Sequence, residues 1–306
     1  MMDMSNILQY KESFIEVSAY FITLMRKIES DLNPWSPSGF HQQELLKETI
    51  LKLACKLQDP ECLKKATEIW DSANQKPKFG DLSALPTYVR EVVFNYHFQN
   101  TYNIEDWRST LLTYELNYNL VLQKKLLEAL TFTRLPWLLA KLLETEKTDG
   151  LNMVDFFITF RWMAQNPLGR EIAWDEMRIN FDSIEAFYGE DDARIGQLLL
   201  DICSSFENEF MFYELLEFVF FTQTGSSGNA RFKALEIVST NVGWLMDKEE
   251  EIRTAFADGR KAADGQFELF KNRTLKMEAK NKQDSVKFMD NARKMFQKYF
   301  PNKVVA

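Results

Sequence analysis

Apolar residues return every three or four positions through most of this sequence, the spacing that gathers them on one face of a helix. The first stripe lies within residues 8–29, where Phe14, Val17, Phe21, Leu24 and Ile28 share a face, and the Pro- and Gly-bearing segment SDLNPWSPSGF ends it. A second helix is expected over 41–57 through Leu46, Ile50, Leu53 and Leu57. Asp59-Pro60 then turns the chain into a third with Leu63, Ala66 and Trp70. After a breaker-rich stretch at 72–86, stripes run through Val89, Val92, Val93 and Tyr96, through Ile104, Trp107, Leu111 and Tyr114, and through Leu122, Leu126, Ala129 and Leu130. Leu135 to Leu143 and Met153 to Met163 continue the series.

Asn166-Pro167 marks a sharp helix start, because Asn caps well and Pro loses nothing at the first helical position. From there Trp174, Met177, Phe181, Ile184 and Tyr188 predict one amphipathic helix that Gly189 is placed to end. Ile195–Cys203, Glu207–Phe221 and Ala230–Leu245 follow, then a charged segment from Asp247 to Phe256. Nowhere does period-two alternation persist with turn residues at its ends, so no sheet is expected. Roughly a dozen helices with short links predict an all-α fold, an α-α superhelix of the HEAT or armadillo-like solenoid kind. The repeats are inferred from helix succession, since no fixed-period self-similarity is present.

Length is compatible with this, because 306 residues are many for one compact core and either two domains or one elongated solenoid is expected. With 45% apolar and 27% charged residues, and few Gly and Pro, the chain reads as globular. It has no apolar run of membrane-spanning length and its first residues lack a charged-then-apolar pattern, so the chain as it stands is expected to be soluble and to carry no address. Residues 259–306 hold twelve Lys and Arg against five Asp and Glu, a net of +7; the whole chain is at −8, so residues 1–258 are at −15. The expected division is therefore an acidic helical body, 1–258, and a basic helical tail, 259–306. An acidic body argues against a nucleic-acid partner. In the tail, Val286, Met289, Phe296 and Phe300 lie at helical spacing among Lys residues, which suits either packing onto the body or contact with an anionic membrane surface.

Candidate chemistry is sparse. The two histidines, His41 and His97, have no neighbours at metal-ligand spacing; His41 reads as an exposed helix start and His97 as a satisfied surface or core residue. The GSSG run at 225–228 lacks a following Lys-Ser/Thr, so it is a loop and not a phosphate cradle. Glu249, Glu250 and Glu251, and the Asp191-Asp192 pair, read as solvated charge. Asn272 heads the sole N-x-[ST] sequon, a glycosylation candidate if the chain enters the secretory pathway.

Residue order adds what periodicity cannot. The segment NPLGREIAWDEMRINF, 166–181, resembles the N-P-x-G-R-x-x-A-W-D-x-x-R-x-N-[WF] signature of the C-terminal helical domain shared by the aminopeptidase N, glutamyl aminopeptidase and endoplasmic-reticulum aminopeptidase family of gluzincin zinc metallopeptidases. LPTYVREVVF at 85–94, ALTFTRLPWLLAKLL at 129–143, the segment 207–217, and GSSGNARFKALEIVSTNVGWL at 225–245 resemble further pieces of that domain in the same order. The resemblance covers about residues 15–258 and is silent about the tail. It begins after the family domain's first helix or helices. That implies an apolar edge at Phe14, Phe21 and Leu24 unless Ile7 and Tyr10, or the extra C-terminal helix, cover it.

Several expectations follow from the resemblance. Cys55 and Cys62 flank the turn CKLQDPEC, an offset that can bring two Cα atoms within disulfide range. The family's extracellular and lumenal members have a C-x6-C bridge at this turn, while small buried thiols remain the alternative. The positions of a second family bridge hold Asn95 and Phe132. Together the resemblance and the Cys pair imply a cell-surface, extracellular or lumenal origin. The family's catalytic domain binds zinc through H-E-x-x-H with a distant Glu and grips the peptide amino terminus with G-x-M-E-N. Neither motif occurs here, so no cofactor and no catalytic residue are expected in this chain. The implied function is that of a non-catalytic lid over the peptide chamber, with peptides or an aminopeptidase catalytic domain as partners. The alternative is a stand-alone helical-repeat module that binds another protein. Arg194 matches the position from which glutamyl aminopeptidase meets acidic substrate side chains, and its acidic neighbours offer a purely local pairing instead.

Overall fold

The computed structural model describes residues 6–9, 11–37, 39–74, 86–116, 119–148, 153–189, 192–222 and 228–259. Among them the chain forms helices and no strand. A short turn of helix at 6–8 precedes α1 (Glu12–Leu32), α2 (His41–Lys56), α3 (Pro60–Asn74), α4 (Thr87–Asn100), α5 (Ile104–Leu116), α6 (Leu120–Leu130), α7 (Pro136–Thr148), α8 (Met153–Gln165), α9 (Pro167–Ile179), α10 (Phe181–Tyr188), α11 (Ala193–Cys203) and α12 (Glu209–Phe221). A last long helix, α13, covers 228–259. The fold is all-α, as the periodicity predicts. Helices α2, α4, α6, α8 and α11 lie side by side in one layer, while α3, α5 and α9 pack against α4, α6 and α8 from a second layer. This is the solenoid-like arrangement expected of successive helix pairs.

Two apolar clusters fill the space between the layers, one built mainly from α1 to α6 and one from α8 to α12. Helix α7 joins them, because Leu138 and Leu142 enter the first while Leu139 and Leu143 enter the second. The family-like segment at 166–181 is explained by its contacts. The Asn166 Oδ1 accepts from the Leu168 N–H at 3.1 Å, and its Nδ2 donates to the carbonyls of Thr131 and Thr133 at 2.7 and 3.0 Å. One side chain thus caps α9 and ties that corner to the α6–α7 corner. A Cβ on Gly169 would come within 2.7 Å of the Met163 carbonyl oxygen, so only glycine lets α9 approach α8 this closely. Arg170 is buried against Glu207, and the Trp174 Nε1 donates to Glu214 at 3.1 Å.

Three expectations are corrected. The stripe from Trp174 to Tyr188 is two helices: Asn180 donates back to the Glu176 carbonyl at 3.3 Å and to its Oε1 at 2.7 Å, a side-chain competition that bends the chain before Phe181. The segment Asp247–Phe256 does not stand apart from Ala230–Leu245 but continues it as α13. Lys248–Glu251 and Arg253–Glu250 pair at i,i+3 on its wet side, while Leu245, Ile252 and Phe256 join the first cluster. The N-terminal edge is also covered. Phe14 and Val17 are buried, Ile7 and Phe21 pack on the first cluster, and the Phe256 ring lies 5.3 Å from Tyr20 and 5.7 Å from Phe21.

The chain divides into two compact units, Met1–Phe256 and Ala257–Ala306. The basic tail beyond residue 259, its apolar positions Val286, Met289, Phe296 and Phe300, and the sequon at Asn272 lie outside the described residues. So do Asp191 and residues 225–227 of the GSSG run.

Candidate functional site

The first layer leaves one face of its helices uncovered by the second, and polar residues spaced three or four apart mark that face. Helix α2 presents Glu48, Lys52 and Lys56; α4 presents Glu91, Asn95 and Gln99; α6 presents Glu128; α8 presents Arg161 and Gln165; and α11 presents Arg194, Gln197 and Asp201. Neighbouring helices are stitched by charge. The Lys52 Nζ reaches Glu91 at 2.6 Å and Glu48 at 2.9 Å, and the Arg161 Nε donates to Asp201 at 2.7 Å. Burial pushes the Lys52 ammonium down, but its bonds to the two carboxylates outweigh this and the net shift is upward.

Between α2, α4, α6 and α8 this face holds a cavity of 130 Å³, lined in part by Lys52, Glu91, Asn95, Gln99, Glu128 and Trp162. Burial, and then the neighbouring charge of Glu91, lift the Glu128 carboxyl above its ordinary value. The Asn95 Nδ2 donates to it at 3.1 Å. Asn95 and Phe132, the positions where the resemblance places a second bridge, both line this cavity. Sequence reasoning passed over the cavity, although the row Glu91, Asn95, Gln99, spaced four apart beside the apolar stripe of α4, was there to be read.

Arg194 sits in the first turn of α11, about half exposed at 49%, with its guanidinium bonded to both oxygens of Asp192. Its Cζ lies 5.2 Å from the centre of the Phe157 ring on α8. Asp192 also caps α11 through the Arg194 N–H at 2.9 Å, and the guanidinium holds its carboxyl below the usual range. The local pair is present, and the side chain still shares the open face.

Cys55 and Cys62 are joined in a disulfide with their Cα atoms 5.3 Å apart, which links the end of α2 to the start of α3. Cys203 is a free, buried thiol that burial pushes well up. His41 is exposed at the start of α2. His97 is 1% exposed, stacked 4.7 Å from Trp70, with its Nε2 3.2 Å from Asp106. Burial lowers its pKa to about 4. The two imidazoles do not converge, and no cluster of three His, Cys, Asp or Glu among the described residues is arranged to hold a metal ion. The donor set therefore does not fit the zinc of the family's catalytic domain. Among the described residues no helix is long and apolar enough to cross a membrane.

On helix α12, Phe210, Tyr213, Phe220 and Phe221 are exposed along one side while Met211, Leu215, Phe218 and Val219 are buried. The sequence EFMFYELLEFVFF carries aromatic residues on its outer as well as its inner side, with the exposed Glu217 among the outer ones, a pattern that marks a contact surface.

Comparison with known proteins agrees with the geometry. A family model described as the ERAP1-like C-terminal domain matches residues 3–238. Glutamyl aminopeptidase of Mus musculus is 28% identical over 249 residues, covering 81% of this chain and 26% of that protein. The Homo sapiens glutamyl aminopeptidase is 27% identical over 248 residues, covering 80% and 25%. Endoplasmic reticulum aminopeptidase 2 of Homo sapiens is 26% identical over 261 residues, covering 83% and 26%. The chain thus spans about a quarter of the length of these relatives and matches their C-terminal domain, not their catalytic region. This chain belongs to the ERAP1-like C-terminal domain family.

Proposed function

We propose that this chain is the non-catalytic C-terminal domain of a zinc metallo-aminopeptidase and acts as the lid of its peptide chamber. The observation that carries the reading is the family match across residues 3–238 in a chain with two histidines that do not converge. Chamber walls alone cannot activate water, so hydrolysis of peptides requires the catalytic domain as partner. The open face of the first layer, with Arg194 at one end, is the surface that meets peptide. Arg194 contacts an acidic side chain by exchanging its Asp192 partner for the substrate carboxylate, since guanidinium binds either one bidentately. The aromatic side of α12 supports a large protein partner. The Cys55–Cys62 bridge, a cross-link that lasts in oxidising compartments, and the family resemblance support a cell-surface, extracellular or lumenal origin.

One observation favours the second reading, a stand-alone interaction module that has lost the enzyme: the apolar stripe of α1 is covered by the chain's own α13. Intact-mass analysis of the native source protein separates the two. A polypeptide several times heavier than 36.0 kDa with zinc-dependent aminopeptidase activity supports the lid. A native 36 kDa chain favours the module. Zinc-dependent cleavage of aminoacyl fluorogenic substrates by the isolated chain overturns both.

A further inference from the structure

The walls of the 130 Å³ cavity are unbalanced in their hydrogen bonding. Three donors in its wall are committed: Lys52 to Glu91 and Glu48, the Tyr96 hydroxyl to the Lys52 carbonyl at 3.1 Å, and the Asn95 amide nitrogen to Glu128. Lys56 is likewise engaged. Two of the cavity's acceptors are not. The Asn95 Oδ1 and the Gln99 Oε1 are buried without a hydrogen-bond partner, and Asn95 as a whole is only 5% exposed. The orientation of the Asn95 amide is fixed by chemistry, because only its nitrogen can bond the Glu128 carboxylate, so the oxygen faces the other way. Asn95 and Gln99 are one turn apart on the same side of α4, and Glu128 faces them from α6. A buried acceptor without a donor keeps its desolvation cost, which a donor-bearing occupant recovers.

We propose that this cavity binds the guanidinium of an arginine side chain. Guanidinium is flat, offers five N–H donors and no acceptor, and stacks on aromatic rings. It therefore answers two amide oxygens and a carboxylate together, against the aromatic wall of Trp162 and Phe132. The volume is about four times the ~30 Å³ that one water occupies in the liquid, enough for the planar head and the start of its stem. Recognition of the head group is a property of this chain alone. That the arginine belongs to a peptide rests on the lid reading.

The test uses the full 306-residue chain. Side-chain amide and Trp indole NMR signals are followed during titration with N-acetyl-arginine-amide, its neutral citrulline analogue and N-acetyl-glutamate-amide. Saturable shifts at Asn95, Gln99 and Trp162 are expected for arginine, with the citrulline compound weaker by about tenfold and the glutamate compound inert. Asn95→Leu keeps the branched shape but removes both polar atoms, and is expected to abolish the shifts. Gln99→Ala, a milder change at a half-buried position, is expected to weaken arginine about fivefold to tenfold without lowering the thermal midpoint. Equal binding of citrulline, binding of arginine that neither variant weakens, or no saturable shift with arginine each overturns the proposal. Such a failure leaves the lid reading standing, because that reading is decided by native mass and zinc-dependent activity.

Discussion

The Arg170 Nη1 donates to the Glu207 Oε2 at 2.9 Å with both side chains buried, at 2% and 8% exposure. The same guanidinium donates through Nη2 to the Asn6 carbonyl at 3.1 Å and through Nε to the Ala164 carbonyl at 3.3 Å. One residue thereby joins α9, the approach to α12, the end of α8 and the N-terminal turn. Burial lifts the Glu207 carboxyl above its ordinary value even though Arg170 and Lys11 pull it down, as expected where desolvation rivals the pairing energy.

Breaking this pair from one side should therefore be severe. Arg170→Met leaves an uncompensated carboxylate in the core and is expected to lower stability by about 3–5 kcal/mol. Arg170→Met combined with Glu207→Leu should lose much less than the sum of the single changes. Urea unfolding of the four proteins measures the coupling. Additive losses would mean that the two residues act separately.

The Cys55–Cys62 bridge closes a loop with a sequence separation of 7, the short end of the range in which cross-links constrain the unfolded chain. On the chain-entropy relation such a loop contributes ~2.5 kcal/mol at room temperature. Cys55→Ser with Cys62→Ser, or reduction of the parent, is expected to lower the denaturant midpoint accordingly while the helical signal persists. An unchanged midpoint between oxidised and reduced protein would remove the bridge from the account of stability.

His97 predicts an acid-sensitive core. Its folded pKa of about 4 lies below the ordinary 6.5, so between these values the unfolded chain binds the proton and the folded chain does not. Stability is fully present above about pH 6.5 and falls as pH drops toward 4, by up to ~3 kcal/mol from this group. Asp106, itself half-buried and raised first by desolvation and then by Asp71, is the carboxylate that faces the ring. If Asp106 held the imidazole charged, the slope over this interval would reverse. Denaturant titrations at pH 7, 5.5 and 4.5, on the parent and on His97→Phe, distinguish the two signs.

Much of this architecture was legible in the residue order because caps and stripes are local. Asn166-Pro167 starts α9 where the sequence places it, and Gly169 and Arg170 hold the close approach and the buried pair that the family-like order encodes. Most of what escaped was decided by partners far along the chain; the exception is Asn180, whose partner lies one turn back. Asn180 reads as one more polar position until its amide is seen bonded to Glu176. The acidic run at 249–251 reads as a solvated break until Ile252 and Phe256 are seen against the first cluster. The cavity residues were hidden for the same reason: Glu128 and Asn95 are 33 positions apart, and only the pairing of α4 with α6 brings them together. Arg194 shows the converse, since its Asp192 partner two residues away was readable, and the Phe157 ring beneath it was not.

Helix α1 owes the covering of its outer side to α13. Tyr20, Phe21 and Phe256 form one aromatic group, with Tyr20 and Phe21 centred 5.1 Å apart, so α13 shields the side of α1 that would otherwise be the open end of the helix stack. Repeat stacks are stable only when their terminal apolar faces are closed. Phe256→Ala removes the ring that touches both partners. Because Phe256 and Phe21 are only partly buried, the loss should fall below the range for a fully buried Phe, at about 1–3 kcal/mol. Phe256→Asp should add a second effect, in that the uncovered Tyr20 and Phe21 promote association between copies, read as a concentration-dependent rise in mass by light scattering. Tyr20→Ser with Phe21→Ser in the Phe256→Asp background should return the chain to a monomer. Should Phe256→Asp stay monomeric with an unchanged midpoint, α13 would not be what closes this end of the stack.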